Sequence, residues 1–307
     1  MIARLTRIPQ LESSLIGNVS VLCYCYQHMR LFDAHCHIQD ERLAGGLDAT
    51  LKRARTSGVM KMLCCGTSES DWQRVATLCN RNTALIPSFG LHPWHVQGRS
   101  STWMTALTDS LLSDPAAAVG EIGLDHALKE RNNEAQTEVL IAQLRLAKAL
   151  DRPACIHCRR AWDTILKVLD DMDGLPAGFL IHSYSGPIEL IEVLAGMGAY
   201  FSFSGTITRQ RNQRGHAAVV AVPLDRLLIE TDSPDLTPVL PSTTPESTPQ
   251  TAEAPNEPAN LVYVMKAVAQ LRKMTENDLA DITYNNACRL FTCRQEAPEG
   301  RRIVCPQ

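Results

Sequence analysis

Eight short, almost continuously apolar segments recur between residues 31 and 231, with longer stretches of helical spacing between them. They are 31–34, 60–65, 85–90, 116–121, 153–157, 178–182, 200–204 and 227–231, each bounded by Gly, Pro or polar residues. A strand that is apolar on both faces has to be covered on both faces. In a chain with this alternation that means a parallel sheet with helices packed outside it. The stretch 134–150 carries the amphipathic pattern clearly, with Val139, Ile141, Ala142, Leu144, Leu146 and Ala149 apolar and Gln143, Arg145 and Lys148 polar. Further helices are expected at 257–272 and 276–291. So many equal strand–helix units fit an α/β fold of the (β/α)8 TIM-like barrel type better than an open doubly wound sheet. The first apolar segment runs into DAHCH rather than a glycine-rich phosphate loop, which removes the main reason to expect a dinucleotide fold. A chain of 307 residues has room for one such barrel as a single domain.

The barrel is expected to occupy residues 29–292, with an N-terminal extension at 1–28 and a C-terminal tail at 293–307. The extension contains Arg4, Arg7 and a short apolar run from Val19 to Tyr26, without a clear small-residue cleavage site. It reads as unstructured sequence ahead of a second possible start at Met29, with organelle targeting as the weaker alternative. Residues 234–258 hold seven prolines among Ser, Thr and Glu. Such a composition buries too little apolar surface to offset its ordering entropy, so a mobile insertion after the eighth strand is expected. The 11 cysteines are odd in number and unpatterned, which points to free thiols in a reducing compartment, cytoplasmic or nuclear. No apolar run is long enough to span a membrane. A formal charge of −3 provides no global field for nucleic acid or anionic lipid, so any attraction for an anionic substrate must be local.

The polar residues that end the apolar segments carry the chemistry. Asp33, His35 and His37 alternate along the first strand and should share one face, with Cys36 on the other. Glu121 follows the fourth segment, His157 the fifth, His182 the sixth and Asp232 the eighth. Barrel enzymes keep their active sites at this C-terminal end of the strands. Imidazole and carboxylate without thiolate suit zinc, manganese or cobalt, and magnesium less well because it prefers oxygen donors. Six ligands exceed the need of one ion but match two divalent metal ions that share a carboxylate, for which Glu121 is the natural bridge. The pair Cys155 and Cys158 resembles a redox motif, but residues three apart on a strand face opposite ways, so the sulfurs should not meet.

These blocks resemble the TatD-type metal-dependent deoxyribonucleases of the amidohydrolase superfamily. They are DAHCH (33–37), GLHPW (90–94), GEIGLD (120–125), IHCRRA (156–161), IHSYSG (181–186), ETDSP (230–234), NEPANL (256–261) and NNACRLF (285–291). The run from Met29 to His37 and the block SFSG (202–205) are most similar to the plant and fungal branch. The resemblance implies His35, His37, Glu121 and Asp232 on one ion, and Glu121, His157 and His182 on the other. The chain departs from the family pattern in the longer proline-rich loop before Asn256, and in Pro255 where a basic residue often stands.

The resulting expectation is hydrolysis of phosphodiester bonds in DNA, exonuclease-like, with Asp232 orienting the attacking water and taking its proton. His92 and Arg159 are candidates for contact with the phosphate or leaving group. Arg209, Arg211 and Arg214 would form a basic rim suited to short contacts with a DNA backbone near an end. Two other readings use the same barrel: a hydrolase of a small amide or lactone, and a non-catalytic binding protein. The first commonly bridges its metals with a modified lysine where this chain has Glu121, and the second would be marked by a lost ligand, of which there is none.

Overall fold

The computed structural model describes residues 29–130, 132–240 and 255–292. The expectations for 1–28 and 293–307 therefore lie outside the described residues, as does the middle of the proline-rich segment.

The eight strands are β1 (Leu31–Cys36), β2 (Val59–Cys65), β3 (Leu85–Phe89), β4 (Ala118–Asp125), β5 (Ala154–Arg159), β6 (Phe179–Ile181), β7 (Ala199–Phe203) and β8 (Leu227–Ile229). Neighbours in sequence pair in parallel and in order from β1 to β8, as one eight-stranded sheet. The helices that cover it are α1 (Glu41–Ala44), α2 (Leu47–Thr56), α3 (Glu69–Arg81), α4 (Trp103–Ser113) and α5 (Asn133–Ala149). They are followed by α6 (Trp162–Asp171), α7 (Leu190–Gly196), α8 (Gln213–Ala221), α9 (Leu261–Arg272) and α10 (Glu276–Phe291). The barrel read from the alternation is thus the architecture observed, and no described helix is long and apolar enough to cross a membrane.

Two apolar cores follow from this geometry. The larger lies between strands and helices and includes Leu31, Cys36, Ile122, Ile156 and Ile181. The smaller fills the barrel itself, with Phe32, Ala34, Leu63, Cys65, Cys155, Leu180, Tyr200 and Leu228. Ala287, Leu290 and Phe291 of α10 join the inner core, and Phe291 stacks on Phe32 at 6.0 Å between ring centroids. The last helix therefore packs under the end of the barrel where the strands begin, which leaves the opposite end for chemistry. Each large apolar side chain buried this way contributes roughly 1.5–3 kcal/mol. Cys155 belongs to the inner core and Cys158 to the outer one, as the strand period requires.

Simple alternation fails at two strands. Phe32 and Ala34 point into the barrel, yet so does His35, because the β1–β2 register shifts between Asp33 and Cys36. Asp33 consequently does not join the imidazoles, contrary to the sequence expectation. Its carboxylate accepts from the Thr231 N–H at 2.8 Å and from the Thr231 hydroxyl at 2.5 Å. A similar shift between Val119 and Ile122 lets β4 place both Ala118 and Glu121 on the inside. Next to it Gly123, at φ +147°, pairs with His157. A Cβ there would stand 1.9 Å from the His157 carbonyl oxygen, so only glycine lets β5 come this close.

The described flanks of the proline-rich segment are packed, which corrects the expectation of a mobile insertion for those parts. Asn256 is fully buried and donates to the carbonyls of Thr231 and Asp235 at 3.0 and 2.8 Å. Arg42 makes a paired contact with Asp235, and Val239 N–H donates to the Thr208 hydroxyl at 2.7 Å. The reason lies in the side-chain amide of Asn256, which satisfies backbone carbonyls that composition alone leaves unassigned.

The seam between β1 and β8 has no strand ladder. It is closed by the Asp33–Thr231 clasp, by Asp232 N–H donating to the His35 carbonyl at 3.0 Å, and by His37 N–H donating to the Ser233 carbonyl at 2.7 Å. Asp33→Ala strands two buried donors of Thr231 and should lower stability by about 2–4 kcal/mol in a denaturant titration. Asp33→Asn, which keeps an acceptor, should cost less. An unchanged midpoint for Asp33→Ala would show that the seam does not depend on this clasp.

Candidate metal centre

The six residues singled out at strand ends meet at the open end of the barrel. In one group, His35 Nε2 and His37 Nε2 stand 3.1 Å apart. Glu121 Oε2 lies 3.4 and 3.3 Å from them, and Asp232 Oδ1 lies 3.5 Å from each. In the other group, Glu121 Oε1 lies 2.8 Å from His182 Nε2 and 3.1 Å from His157 Nδ1. Those two nitrogens are themselves 3.1 Å apart. Donors about 2.1 Å from a common centre stand roughly 3.0 Å apart in an octahedral shell and roughly 3.4 Å apart in a tetrahedral one. Both groups fit that spacing, so the residues suit divalent cations without rearrangement of the backbone.

Which nitrogen of each ring is free to ligate follows from what the other nitrogen touches. His37 Nδ1 lies 2.8 Å from the Cys65 carbonyl, which can only accept, so Nδ1 carries the hydrogen and Nε2 keeps its lone pair. His182 Nδ1 faces Glu230 Oε1 at 3.5 Å, and both atoms are buried without a closer partner among the described residues. Asp125 Oδ2 similarly backs His157 Nε2 at 3.6 Å. These carboxylates favour N–H on the side away from the cavity and a lone pair toward it, the usual support for a metal-ligating imidazole. His35 turns Nδ1 toward the sulfurs of Cys155 and Cys65, at 3.1 and 3.3 Å, and Nε2 into the cavity.

His92 has the opposite arrangement. Its Nδ1 accepts from the Trp94 N–H at 3.2 Å, so the neutral ring carries its hydrogen on Nε2, which lies 3.2 Å from Glu121 Oε1. Burial, partly offset by Glu121, holds its pKa down to about 4, so this ring is neutral at physiological pH. It can donate to Glu121 or to a substrate oxygen but has no lone pair to give a cation. Pro93 starts the 3₁₀ turn Pro93–Gly98 and His92 caps it, which holds the ring inward.

Charge in the site is closely balanced. Burial opposes the charged form of His37, but Asp232 and Glu121 outweigh it and hold this imidazole well above the ordinary histidine range. The same holds for His182, against Glu121 and Glu230. Glu121 is fully buried, yet the surrounding imidazoles of His92, His182 and His35 keep its pKa well below that of an ordinary carboxylate. Sequence reasoning missed Asp125 and Glu230, although each stands in a recognised block and within four residues of a ligand candidate. Their signal was a second carboxylate beside the first, with no geometry to say which imidazole it supports.

The arginines remain at the rim. Arg159 is exposed and reaches 3.8 Å from Asp125 Oδ2. Arg209 and Arg211 lie in the loop between β7 and α8, and Arg214 is in the first turn of α8.

A parallel barrel with His and carboxylate donors gathered at the C-terminal ends of its strands defines a class, the metal-dependent barrel hydrolases. The comparisons narrow it. A family profile described as TatD related DNase matches residues 32–292, and the chain belongs to this family. It is 32% identical over 264 residues to the uncharacterized metal-dependent hydrolase YjjV of Escherichia coli, covering 85% of this chain and 98% of that one. It is 34% identical over 269 residues to the 3'-5' ssDNA/RNA exonuclease TatD of Cronobacter turicensis, covering 85% and 97%. The crystal structure of YjjV superposes with a TM-score of 0.78 at 31% identity, covering 87% of this chain and 99% of that one.

The raised imidazoles set a pH dependence. Below their pKa, His37 and His182 hold protons on the nitrogens a cation needs, so a divalent ion has to displace them. Apparent affinity for manganese or zinc should rise with pH between about 6 and 8, with protons released on binding. Calorimetric titrations in buffers of differing ionisation enthalpy measure this directly. Binding without proton release across that range would contradict the charge assignment.

Proposed function

We propose that the protein is a two-metal phosphodiesterase that acts on DNA, a deoxyribonuclease that removes nucleotides from strand ends. The observation that carries this reading is the division of Glu121, with Oε2 toward His35 and His37 and Oε1 toward His157 and His182. A carboxylate placed this way suits the bridge between two divalent ions, and manganese, cobalt, zinc or magnesium are the candidates. Such ions, when bound, supply a lowered pKa for water and polarisation of a phosphoryl oxygen.

The chain's own residues do the rest. Glu121 is almost closed off at 4% side-chain exposure, whereas Asp232 keeps 14% and comes from the loop after β8. Asp232 is therefore the carboxylate that water can reach, and its Oδ1 orients the water and accepts its proton. His92 Nε2–H is the neutral donor for a phosphate oxygen or the leaving group, poised beside Glu121. Arg159, Arg209, Arg211 and Arg214 supply positive charge at the mouth of a chain whose net charge is negative. The name of the Cronobacter relative supports single-stranded nucleic acid as the substrate class. A hydrolase of small amides or lactones would use the same barrel, and direct comparison of substrates separates the two.

Metal-reconstituted protein should digest end-labelled single-stranded DNA, lose this activity to chelator and regain it with added divalent metal. Glu121→Gln keeps the size but removes the charge that attracts both ions. Metal occupancy should fall, and turnover of DNA and of a small chromogenic phosphodiester should both drop by roughly 10²-fold or more. Turnover of an amide or lactone with no cleavage of either phosphodiester would overturn the reading. Full activity of Glu121→Gln with two ions bound would remove its basis.

A further inference from the structure

A separate cavity of about 350 Å³ opens beside the metal centre, lined by Arg159, Arg160, Trp162, Ser185, Pro187 and Arg214. Three elements build it: the end of β5 with the start of α6, the loop after β6, and the first turn of α8. Its lining has three guanidinium groups and no carboxylate. Arg159 is 3.8 Å from Asp125, but among the described residues no carboxylate lies within ion-pair distance of Arg160 or Arg214. Gathering like charges around one concavity costs electrostatic energy unless an anion enters.

Two features suggest which anion. Helix α6 starts at the cavity wall with Ala161 as its cap, and no side chain caps its first N–H groups. An uncapped helix start beside guanidinium groups favours the planar oxygens of a phosphate. Half-buried Trp162 packs edge-on against Tyr184 at 5.1 Å and gives the cavity an apolar wall for a sugar or base. The volume is near the low end of the roughly 300–1,000 Å³ of ligand sites, enough for one phosphate with its sugar and too small for a duplex. The cavity is also joined to the catalytic centre. Arg159 contacts Asp125 Oδ2, and the same oxygen lies 3.6 Å from His157 Nε2.

We infer that this cavity is a phosphate subsite for a single strand. It holds the backbone phosphodiester next to the one undergoing hydrolysis, with Arg160 and Arg214 on its oxygens and the adjoining nucleoside against Trp162. The inference rests on the proposed nuclease function and specifies where the strand is gripped. Arg209 and Arg211 do not line the cavity, so the grip is more local than a basic rim.

The test is binding of fluorescein-labelled dT tetranucleotides to the metal-reconstituted protein, by anisotropy over times shorter than a turnover. The set has one fully charged strand and three strands, each with a single neutral methylphosphonate linkage. One linkage should prove sensitive, with affinity falling about tenfold when it is neutral. In Arg160→Ala/Arg214→Ala the charged strand should already bind about tenfold more weakly, and the neutral linkage should then cost less than twofold. The slope of log K against log salt should fall by about 1.4 for two lost contacts. A variant that still loses tenfold at that linkage reads the charge elsewhere, and the inference fails. Absence of any strand binding would sink the nucleic-acid reading, and titration with inorganic phosphate would then decide about the cavity. Phosphate binding weakened by the double variant would keep an anion site, whereas none in the parent protein would overturn it.

Discussion

The clasp of Asp33 on Thr231 governs where the chemistry can sit. A barrel of eight strands needs its first and last strands brought together, and here β8 ends at Ile229, before the open end is reached. The carboxylate of Asp33 takes over where the ladder stops, and the backbone bonds Asp232–His35 and Ser233–His37 continue the closure. Those bonds run through the residues whose side chains form the first donor group. Barrel closure and the approach of His35 and His37 to Asp232 are thus one structural event. Asp232 sits at φ +54°, a left-handed conformation uncommon outside glycine, which these seam contacts hold in place.

Across the barrel, β4, β5 and β6 supply the second group, and Glu121 is the only carboxylate within reach of both. Burying it would be costly in isolation. Imidazoles from β1, β5 and β6 and from the loop after β3 surround it, and the outer carboxylates Asp125 and Glu230 in turn face two of those rings. Hydrogen positions then sort the rings by role. His37, His157 and His182 direct an unprotonated nitrogen inward because their outer nitrogens face oxygen acceptors, whereas His92 directs an N–H inward because its outer nitrogen accepts from the backbone. Residues of the same type therefore perform different tasks in one cavity, and the distinction lies in a hydrogen-bond partner rather than in the ring.

Much of this was legible in the sequence for simple reasons. Continuous apolar segments fixed the parallel strands, and polar residues at their ends are seldom there for packing, so His35, His37, Glu121, His157, His182 and Asp232 stood out. Three things were not legible. The register shifts in β1 and β4 change which residues face inward, and no period-two rule contains them, so Asp33 was expected among the imidazoles. The tautomer of His92 depends on the Trp94 backbone N–H, which is invisible until the turn at Pro93 is built. The flanks of the proline-rich segment were expected to be mobile because composition reports apolar area, whereas Asn256 secures them by hydrogen bonds. The cavity of Arg159, Arg160 and Arg214 draws on three separate loops, and spacing along the chain could bring only the first two together.

The central claim is that Glu121 joins two cations held by opposite walls of the barrel. Anomalous diffraction from crystals of manganese-loaded protein tests it most directly. The account predicts two peaks roughly 3.5–4 Å apart, one beside each carboxylate oxygen of Glu121. One of them should be bounded by His35, His37 and Asp232, the other by His157 and His182. A single peak at full occupancy, or two peaks that do not share Glu121, would contradict it.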